Sequence, residues 1–351
     1  MSERVPEGWE IRTSELIFDR LKVPQVYNRN NVLNFGKFPI IDQSENGEIG
    51  FLQTNPDFLC NSEKPIITFA NHTCAVRRMT KPFGVIQNVF PLVNKQDTNI
   101  DFIFQILKGG IETEGYKGHY PKLRETEFLL PPLPEQNKIA SILTSVDEVI
   151  ETTQKQIDKL QDLKKTTMNE LLTKGIGHTE FKDSKLGRVP KSWETVNIEK
   201  LTTKVVDGPH CTPTYVESGI PFVTVRNITS GEVKFSNLKF ITESDYEEFM
   251  RRGKPDLGDI LYSKDGSIGY TAIVKTEKRF AYFVSVALLK IKHDLINSSF
   301  LNYTLQSEYI WKQTGLLTEG TGLKHMVLRS IKALKIILPD MTEQKEISRV
   351  L

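Results

Sequence analysis

Leu130-Pro131-Pro132-Leu133-Pro134-Glu135-Gln136, with the run that follows it to Thr173, decides how the rest of the chain is read. Proline is tolerated at a helix start and excluded from its interior, so a helix is expected to begin near Glu135. No proline or glycine interrupts the sequence until Gly175 and Gly177, which stop it. Ile139, Leu143, Val146, Ile150, Thr153, Ile157, Leu160, Lys164, Thr167 and Leu171 alternate by four and three residues, a heptad seam that turns polar toward its end. A rod over residues 135–173 would be about 58 Å long at 1.5 Å per residue. Glu151, Gln154, Lys155, Asp158, Lys159 and Lys165 lie off the seam. A short helix with such a stripe would pack on its own domain; one this long calls for another long helix beside it.

Outward from the rod, the chain repeats itself. Leu338-Pro339 leads to Glu343-Gln344, Ile347 and Leu351 as Leu130-Pro131 leads to Glu135-Gln136, Ile139 and Leu143, 208 residues earlier. Val189-Pro190-Lys191-Ser192-Trp193-Glu194 repeats Val5-Pro6-Glu7-Gly8-Trp9-Glu10 at a distance of 184. Shared borders around interiors of different length describe two modules of one fold that hold different things. The expected organisation is a first domain over 1–130, a spacer helix over 131–177, a second domain over 178–337, and the start of a second spacer helix over 338–351. Such a short second rod leaves the first seam partly uncovered, which predicts a partner helix from another chain or a truncated chain.

Inside the modules, short β-rich runs alternate with turn residues. Strands are expected at 37–41, 65–69 and 84–90, the first ahead of a Glu45-Asn46-Gly47 turn, and again at 220–225, 259–262, 271–274 and 285–291. Helices are expected at Ile100–Leu107 and Ser298–Thr314. The fold class is mixed α/β, two similar domains separated by a long coiled-coil-type helix, without the period of a doubly wound sheet.

At 351 residues the chain accommodates two domains, and 38% hydrophobic with 26% charged residues is ordinary globular composition. No apolar run approaches the roughly 18 residues that span a bilayer, and Met1-Ser2-Glu3-Arg4 carries no secretory pattern, so a cytoplasmic protein is expected. Cys60, Cys74 and Cys211 form no CxxC pair. Cys60, His72 and Cys74 lack an obvious fourth metal ligand, so no metal is assigned. A net charge of +2 leaves any argument for nucleic acid to local clusters.

The border motifs, together with the junction Leu171-Leu172-Thr173-Lys174-Gly175-Ile176-Gly177-His178 ahead of Phe181 and Leu186-Gly187-Arg188-Val189-Pro190, resemble the specificity subunit of type I restriction-modification enzymes. The resemblance covers the whole chain. It implies a non-catalytic subunit whose two target-recognition domains each read half of a split double-stranded DNA sequence, with the helices as a ruler. It also implies modification (methyltransferase) subunits that dock on the helices and carry S-adenosylmethionine to methylate a flipped adenine, and restriction subunits that use ATP and magnesium. A second copy of this chain on the uncovered seam is a further possible partner.

Candidate DNA contacts are chosen by residue type, since arginine and lysine pair with guanine or phosphate and asparagine with adenine. They are Arg77, Arg78 and Lys81; Lys117, His119, Tyr120, Lys122 and Arg124; Arg226 with Asn227; Arg251, Arg252 and Lys254; Lys264 beside the Asp265-Gly266-Ser267-Ile268-Gly269 turn; and Lys324, His325 and Arg329. Glu114-Gly115 with Leu123-Arg124 recurs as Glu319-Gly320 with Leu328-Arg329, 205 residues on, which suggests a shared backbone-contacting loop. A glycine turn with solvated charges is the alternative.

Enzymatic motifs are not legible. Asn55-Pro56-Asp57-Phe58 lacks the second proline of an amino-methyltransferase motif and any cofactor loop, and reads as a turn. Pro339-Asp340 with Glu343-Gln344-Lys345 imitates a nuclease pattern by letter, but its acids crowd a helix start. No Walker-type loop occurs. The competing reading is a coiled-coil interaction protein whose globular ends bind something other than DNA.

Overall fold

The computed structural model describes residues 5–44, 47–111, 113, 115, 118–318 and 324–351. The chain divides into two compact units, Met1–Gln156 and Ile157–Leu351.

Unit 1 runs β1 (Glu10–Thr13), α1 (Ser14–Ile17), β2 (Phe18–Arg20), β3 (Phe38–Ile41), β4 (Glu48–Leu52), β5 (Ile66–Ala70), β6 (Val76–Met79), β7 (Gly84–Val85), β8 (Val89–Asn94), α2 (Ile100–Gly110), α3 (Tyr120–Glu125), β9 (Glu127–Leu130) and the start of α4 (Leu133–Lys174). Unit 2, after the end of α4, runs β10 (Phe181–Ser184), β11 (Gly187–Pro190), β12 (Glu194–Asn197), α5 (Ile198–Leu201), β13 (Thr202–Asp207), β14 (Tyr215–Val216), β15 (Ile220–Val223), β16 (Lys239–Ile241), α6 (Glu243–Phe249), β17 (Ile260–Ser263), β18 (Thr271–Ile273), β19 (Ala281–Tyr282), β20 (Val286–Ile291), α7 (Ser298–Leu305), α8 (Glu308–Leu317), α9 (Leu328–Ala333), β21 (Lys335–Leu338) and α10 (Met341–Val350).

The two units share one topology. A four-stranded sheet β2-β8-β5-β6 in unit 1 corresponds to β13-β20-β17-β18 in unit 2, and β4-β3-β7 corresponds to β16-β15-β19, to which unit 2 adds β14. Even the exceptional pairing is kept: β3 runs parallel to β7, and β15 parallel to β19. The central strands β5 and β17 are buried at every residue, as strands covered on both faces must be. In unit 1 Ile67, Phe69 and Leu92 pack with Phe102, Ile103 and Leu107 of α2. In unit 2 Ile260, Tyr262 and Leu289 pack with Phe300, Leu301 and Ile310.

Two expected elements are each split. The strand expected over residues 84–90 is interrupted because Asn88 adopts φ +66°, a left-handed conformation that asparagine tolerates, leaving β7 and β8 on either side. The helix expected over Ser298–Thr314 breaks after Gln306, where Ser307 takes an extended backbone and starts α8. The spacer helix is slightly longer than expected, 42 residues or about 63 Å, because Pro134 falls in its first turn, where no donor is needed.

The repeated border motifs are fasteners between helix and module. In unit 1 the Gln136 side chain accepts from Asn99 N at 2.9 Å and donates to Pro131 O at 2.9 Å. In unit 2 Gln344 accepts from Asn297 N at 2.8 Å and donates to Pro339 O at 3.0 Å. Both asparagines cap the helix that follows, accepting from Phe102 N and Phe300 N; such caps are worth about 1 kcal/mol each. The tryptophans complete the motif: Trp9 Nε1 donates to Glu135 at 3.2 Å and Trp193 Nε1 to Glu343 at 2.8 Å.

The seam of α4 is covered at its ends and bare between them. Ile139 and Ala140 join the core of unit 1, and Met168, Leu171 and Leu172 join that of unit 2. Leu143, Val146, Ile150, Ile157 and Leu160 are 40–64% exposed. Equivalent border positions differ accordingly. Val189, against the Leu172 turn, is 1% exposed, whereas its counterpart Val5 is 46% exposed.

Candidate nucleic-acid interface

In unit 2, the sheet containing β15 and β16 and the turn after β17 enclose a groove with a cavity volume of about 920 Å³. Its polar wall carries Arg226, Lys234, Lys239, Asn237, Ser267 and Asp265. Arg226, Lys234 and Lys239 are exposed, and the Lys239 ammonium lies 4.3 Å from the centre of the Tyr215 ring. This is a donor-rich concavity of a kind that suits phosphates and base edges.

The structure brings several separately chosen residues to this place. Gly266 N donates to Lys324 O at 3.0 Å, Met326 N donates to Lys264 O at 2.8 Å, and Asp265 pairs with His325, so the turn after β17 and the segment before α9 form one ledge. Lys324 is exposed on it and His325 half-buried. Lys264 itself is buried, its Nζ 2.9 Å from Asp265 Oδ2 and 3.7 Å from Asp207 Oδ2. Asp207, at the end of β13, also pairs with Arg252 at 3.1 Å and His210 at 3.3 Å, both largely exposed.

Other candidates have different work. Asn227 is buried; its Oδ1 accepts from Thr224 N and Oγ1, both at 3.0 Å, in a capping box, so its amide holds a turn. Lys254 pairs with Glu247 at 3.1 Å, and its neighbour Arg251 is exposed. Arg329 is exposed on α9.

In unit 1, Arg77 and Arg78 are successive residues of β6 and face opposite ways, as strand geometry requires. Arg77 turns to the Asp42 loop, donating to Asp42 O at 3.1 Å; burial lowers its guanidinium from the ordinary value while Asp42 raises it. Arg78 pairs with Asp101 of α2. They do not form one patch. Lys81 and Lys122 are exposed. His119 is fully buried, with Nδ1 3.0 Å from Asn71 O, and Tyr120 packs edge-on against Phe90, with the Arg20 guanidinium 5.0 Å from its ring centre. Lys117, Glu114 and Glu319-Gly320, like the Glu45-Asn46 pair, lie outside the described residues.

The 205-residue spacing of Leu123-Arg124 and Leu328-Arg329 is not the structural repeat. Thr126 N caps α3 on Leu123 O and Leu334 N caps α9 on Ile331 O, which aligns Leu123 with Ile331, 208 apart. Arg124 therefore matches Lys332, and the ion pair of Arg124 with Glu15 of α1 recurs as Lys332 with Glu199 of α5. Arg124 belongs to a repeated helix fastening. The leucine-arginine pair recurs in letters at a spacing three residues short of the structural repeat.

Four contributors carried too weak a sequence signal. Lys234 and Lys239 look like solvated charges until the sheet folds them over the groove. Asp207, in an Asp-Gly-Pro-His turn, gains meaning from Arg252 and Lys264, 45 and 57 residues along the chain, and His210 from its pairing with Asp207. Among the described residues no cluster of three or more His, Cys, Asp or Glu side chains could hold a metal ion, and no helix is long and apolar enough to cross a membrane. Cys60 donates to Lys81 O at 3.0 Å, and His72 Nε2 lies 3.3 Å from Asn88 Nδ2.

Comparison with known proteins agrees with this architecture. The family model for the type I restriction modification DNA specificity domain matches residues 6–162 and again 190–351. The chain belongs to this family and carries its domain twice. It is 26% identical over 363 residues to the type I restriction enzyme MjaVIII specificity subunit of Methanocaldococcus jannaschii, covering 97% of this chain and 85% of that one. It is also 26% identical over 320 residues to the putative MjaX specificity subunit of the same organism, covering 86% and 67%. Among solved structures, the S subunit of a type I restriction-modification system from M. genitalium matches with a TM-score of 0.63 at 16% identity, covering 100% of this chain and 90% of that one. A chain from a type I R-M system solved for its complex assembly and conformational transition matches with a TM-score of 0.53 at 14% identity, covering 99% and 90%. These two likenesses concern the fold.

Proposed function

We propose that this chain is the sequence-reading subunit of a type I restriction-modification complex, each module contacting one half of a bipartite double-stranded DNA target. The observation that carries the reading is one fold built twice in a specificity-domain chain, with shared fasteners and different interiors. Different interiors present different side chains to DNA, while the shared glutamine and tryptophan fasteners hold each module to its helix. The continuous α4 acts as the ruler between half-targets, and its bare seam receives modification subunits or a partner helix.

In this reading the chain is not itself an enzyme. S-adenosylmethionine belongs to the modification subunits, which methylate adenine, and ATP with magnesium to the restriction subunits, which cleave unmodified DNA. The assembly works in the cytoplasm, where its DNA is. The repeated family domain and the donor-lined groove of unit 2 support this reading over an interaction protein with non-DNA-binding ends.

The test is selection from a randomised duplex library by the chain, with and without its modification subunits. Enrichment of two short blocks at fixed spacing is expected. No bipartite enrichment under either condition sinks the reading in favour of the interaction protein, and methyl transfer or cleavage by the purified chain alone sinks the non-catalytic assignment.

A further inference from the structure

We propose that Asp265 reads a base: its carboxylate accepts a hydrogen bond from the exocyclic N4 amine of a cytosine in the half-target of module 2, with Lys264 and Asp207 as positioning residues. The inference rests on the DNA-reading function proposed above. Among the described residues lining the groove, Asp265 is the one acid, set against Arg226, Lys234 and Lys239. A carboxylate on a surface that meets a polyanion is unfavourable beside phosphate and beside the acceptor atoms of guanine or thymine. It is favourable opposite a base that offers a donor. Cytosine presents an amine in the major groove, whereas adenine sets its N7 acceptor next to its amine and fits an amide better.

The side chain is held for this task. Asp265 Oδ2 takes one hydrogen bond from Lys264 Nζ at 2.9 Å, and a carboxylate has about four acceptor sites, so capacity remains for an incoming amine. Lys264 approaches from behind with a side chain only 10% exposed, pinned between Asp265 and the buried Asp207. The backbone is clamped on both sides, Lys264 N donating to Ser285 O at 2.9 Å and Gly269 N to Ser263 O at 3.0 Å, while Gly266 takes φ +71° between them. Such fixing from behind is what a specificity contact needs, since a loose acceptor distinguishes bases poorly. Lys264 therefore orients the contact residue and does not itself reach the DNA.

The experiment is library selection with the complex assembled with its modification subunits, comparing wild type, Asp265→Asn, Asp265→Glu and Lys264→Gln. Wild-type enrichment of a bipartite target establishes that the module reads DNA; without it the DNA-reading proposal itself fails. Given that enrichment, Asp265→Asn is expected to lower the preference for cytosine over adenine by about tenfold at one position of one half, since an amide can pair with adenine. The other half should be unchanged. Lys264→Gln should loosen the same position and no other. Asp265→Glu keeps the charge but displaces it, and must alter that position even if Asp265→Asn melts early. An unchanged motif in both Asp265 variants, or a uniform loss of binding across all bases, overturns the proposal.

Discussion

Glu343 accepts the indole N–H of Trp193 at 2.8 Å, although 150 residues separate them. The same carboxylate accepts from Ile176 N at 3.0 Å and lies 2.8 Å from His178 Nε2, so one side chain at the start of α10 ties down the segment that ends α4. Gly175, at φ +67°, makes the approach possible, because a Cβ there would lie 2.5 Å from Glu343 Oε1 and 2.6 Å from the Trp193 ring. Glu343→Ala should therefore destabilise unit 2 by about 2–3 kcal/mol, the range for losing hydrogen bonds to a charged acceptor. Glu135→Ala, whose carboxylate is exposed and accepts from Trp9, should cost less than about 1 kcal/mol. Urea unfolding followed by tryptophan fluorescence measures both. Equal effects would contradict the difference in burial.

The paired glutamines make a second comparison. Gln136 and Gln344 are 2% and 1% exposed, and truncation to alanine strands a backbone N–H and a carbonyl at each. Each variant should lose about 2 kcal/mol, and Asn99→Ala or Asn297→Ala about 1 kcal/mol through the lost cap. Chemical denaturation of the four single variants checks this. A cost below a few tenths of a kcal/mol for either glutamine would mean that water replaces its bonds.

The bare seam should matter to assembly and not to the isolated fold. Val146→Glu with Ile150→Glu changes two exposed positions, so the stability of the chain alone should move by less than about 0.5 kcal/mol. Association with modification subunits, or with a second copy, should fall by at least tenfold, roughly 1.4 kcal/mol. Analytical ultracentrifugation of mixtures gives the answer, and undiminished association removes the seam from the interface.

Burial pushes the Cys60 thiol up to about 11 from an ordinary 9.0. Across that window the folded chain binds more protons at this site than the unfolded chain, so its contribution is constant below pH 9 and stability falls as pH rises toward 11. The loss should shrink in Cys60→Ser when urea midpoints at pH 8 and pH 10.5 are compared. A thiol reagent at pH 8 should modify exposed Cys211 well before buried Cys60. Equal labelling rates would show that the Cys60 pocket opens readily.

Salt dependence tests the groove. If Arg226 and Lys239 each neutralise a phosphate, Arg226→Gln and Lys239→Gln should each reduce the slope of log K against log salt by about 0.9. Titrations at several salt concentrations, using the selected target, provide the slopes. An unchanged slope assigns those side chains to solvent.

Much of this protein was written along the chain. Helix α4 is legible because heptad spacing and the exclusion of proline and glycine are local properties, and the repeat is legible because the Trp and Glu-Gln borders make matching hydrogen bonds in both modules. Side-chain partnership is not local. Arg77 and Arg78 read as a basic pair until the strand sends them to opposite faces, and Asn227 reads as a base contact until its amide closes a turn.

The sequence by itself determined two modules of one fold and a long helix with an apolar seam, since periodicity and repetition survive without coordinates. Tertiary structure alone decided which charges share a surface. It placed Lys234 and Lys239 over the same groove as Asp265, set Lys264 behind that acid, and aligned Arg124 with Lys332. The physical reason is that a charge acts over a few ångströms of space, and the residues within that reach come from strands and turns far apart in the chain.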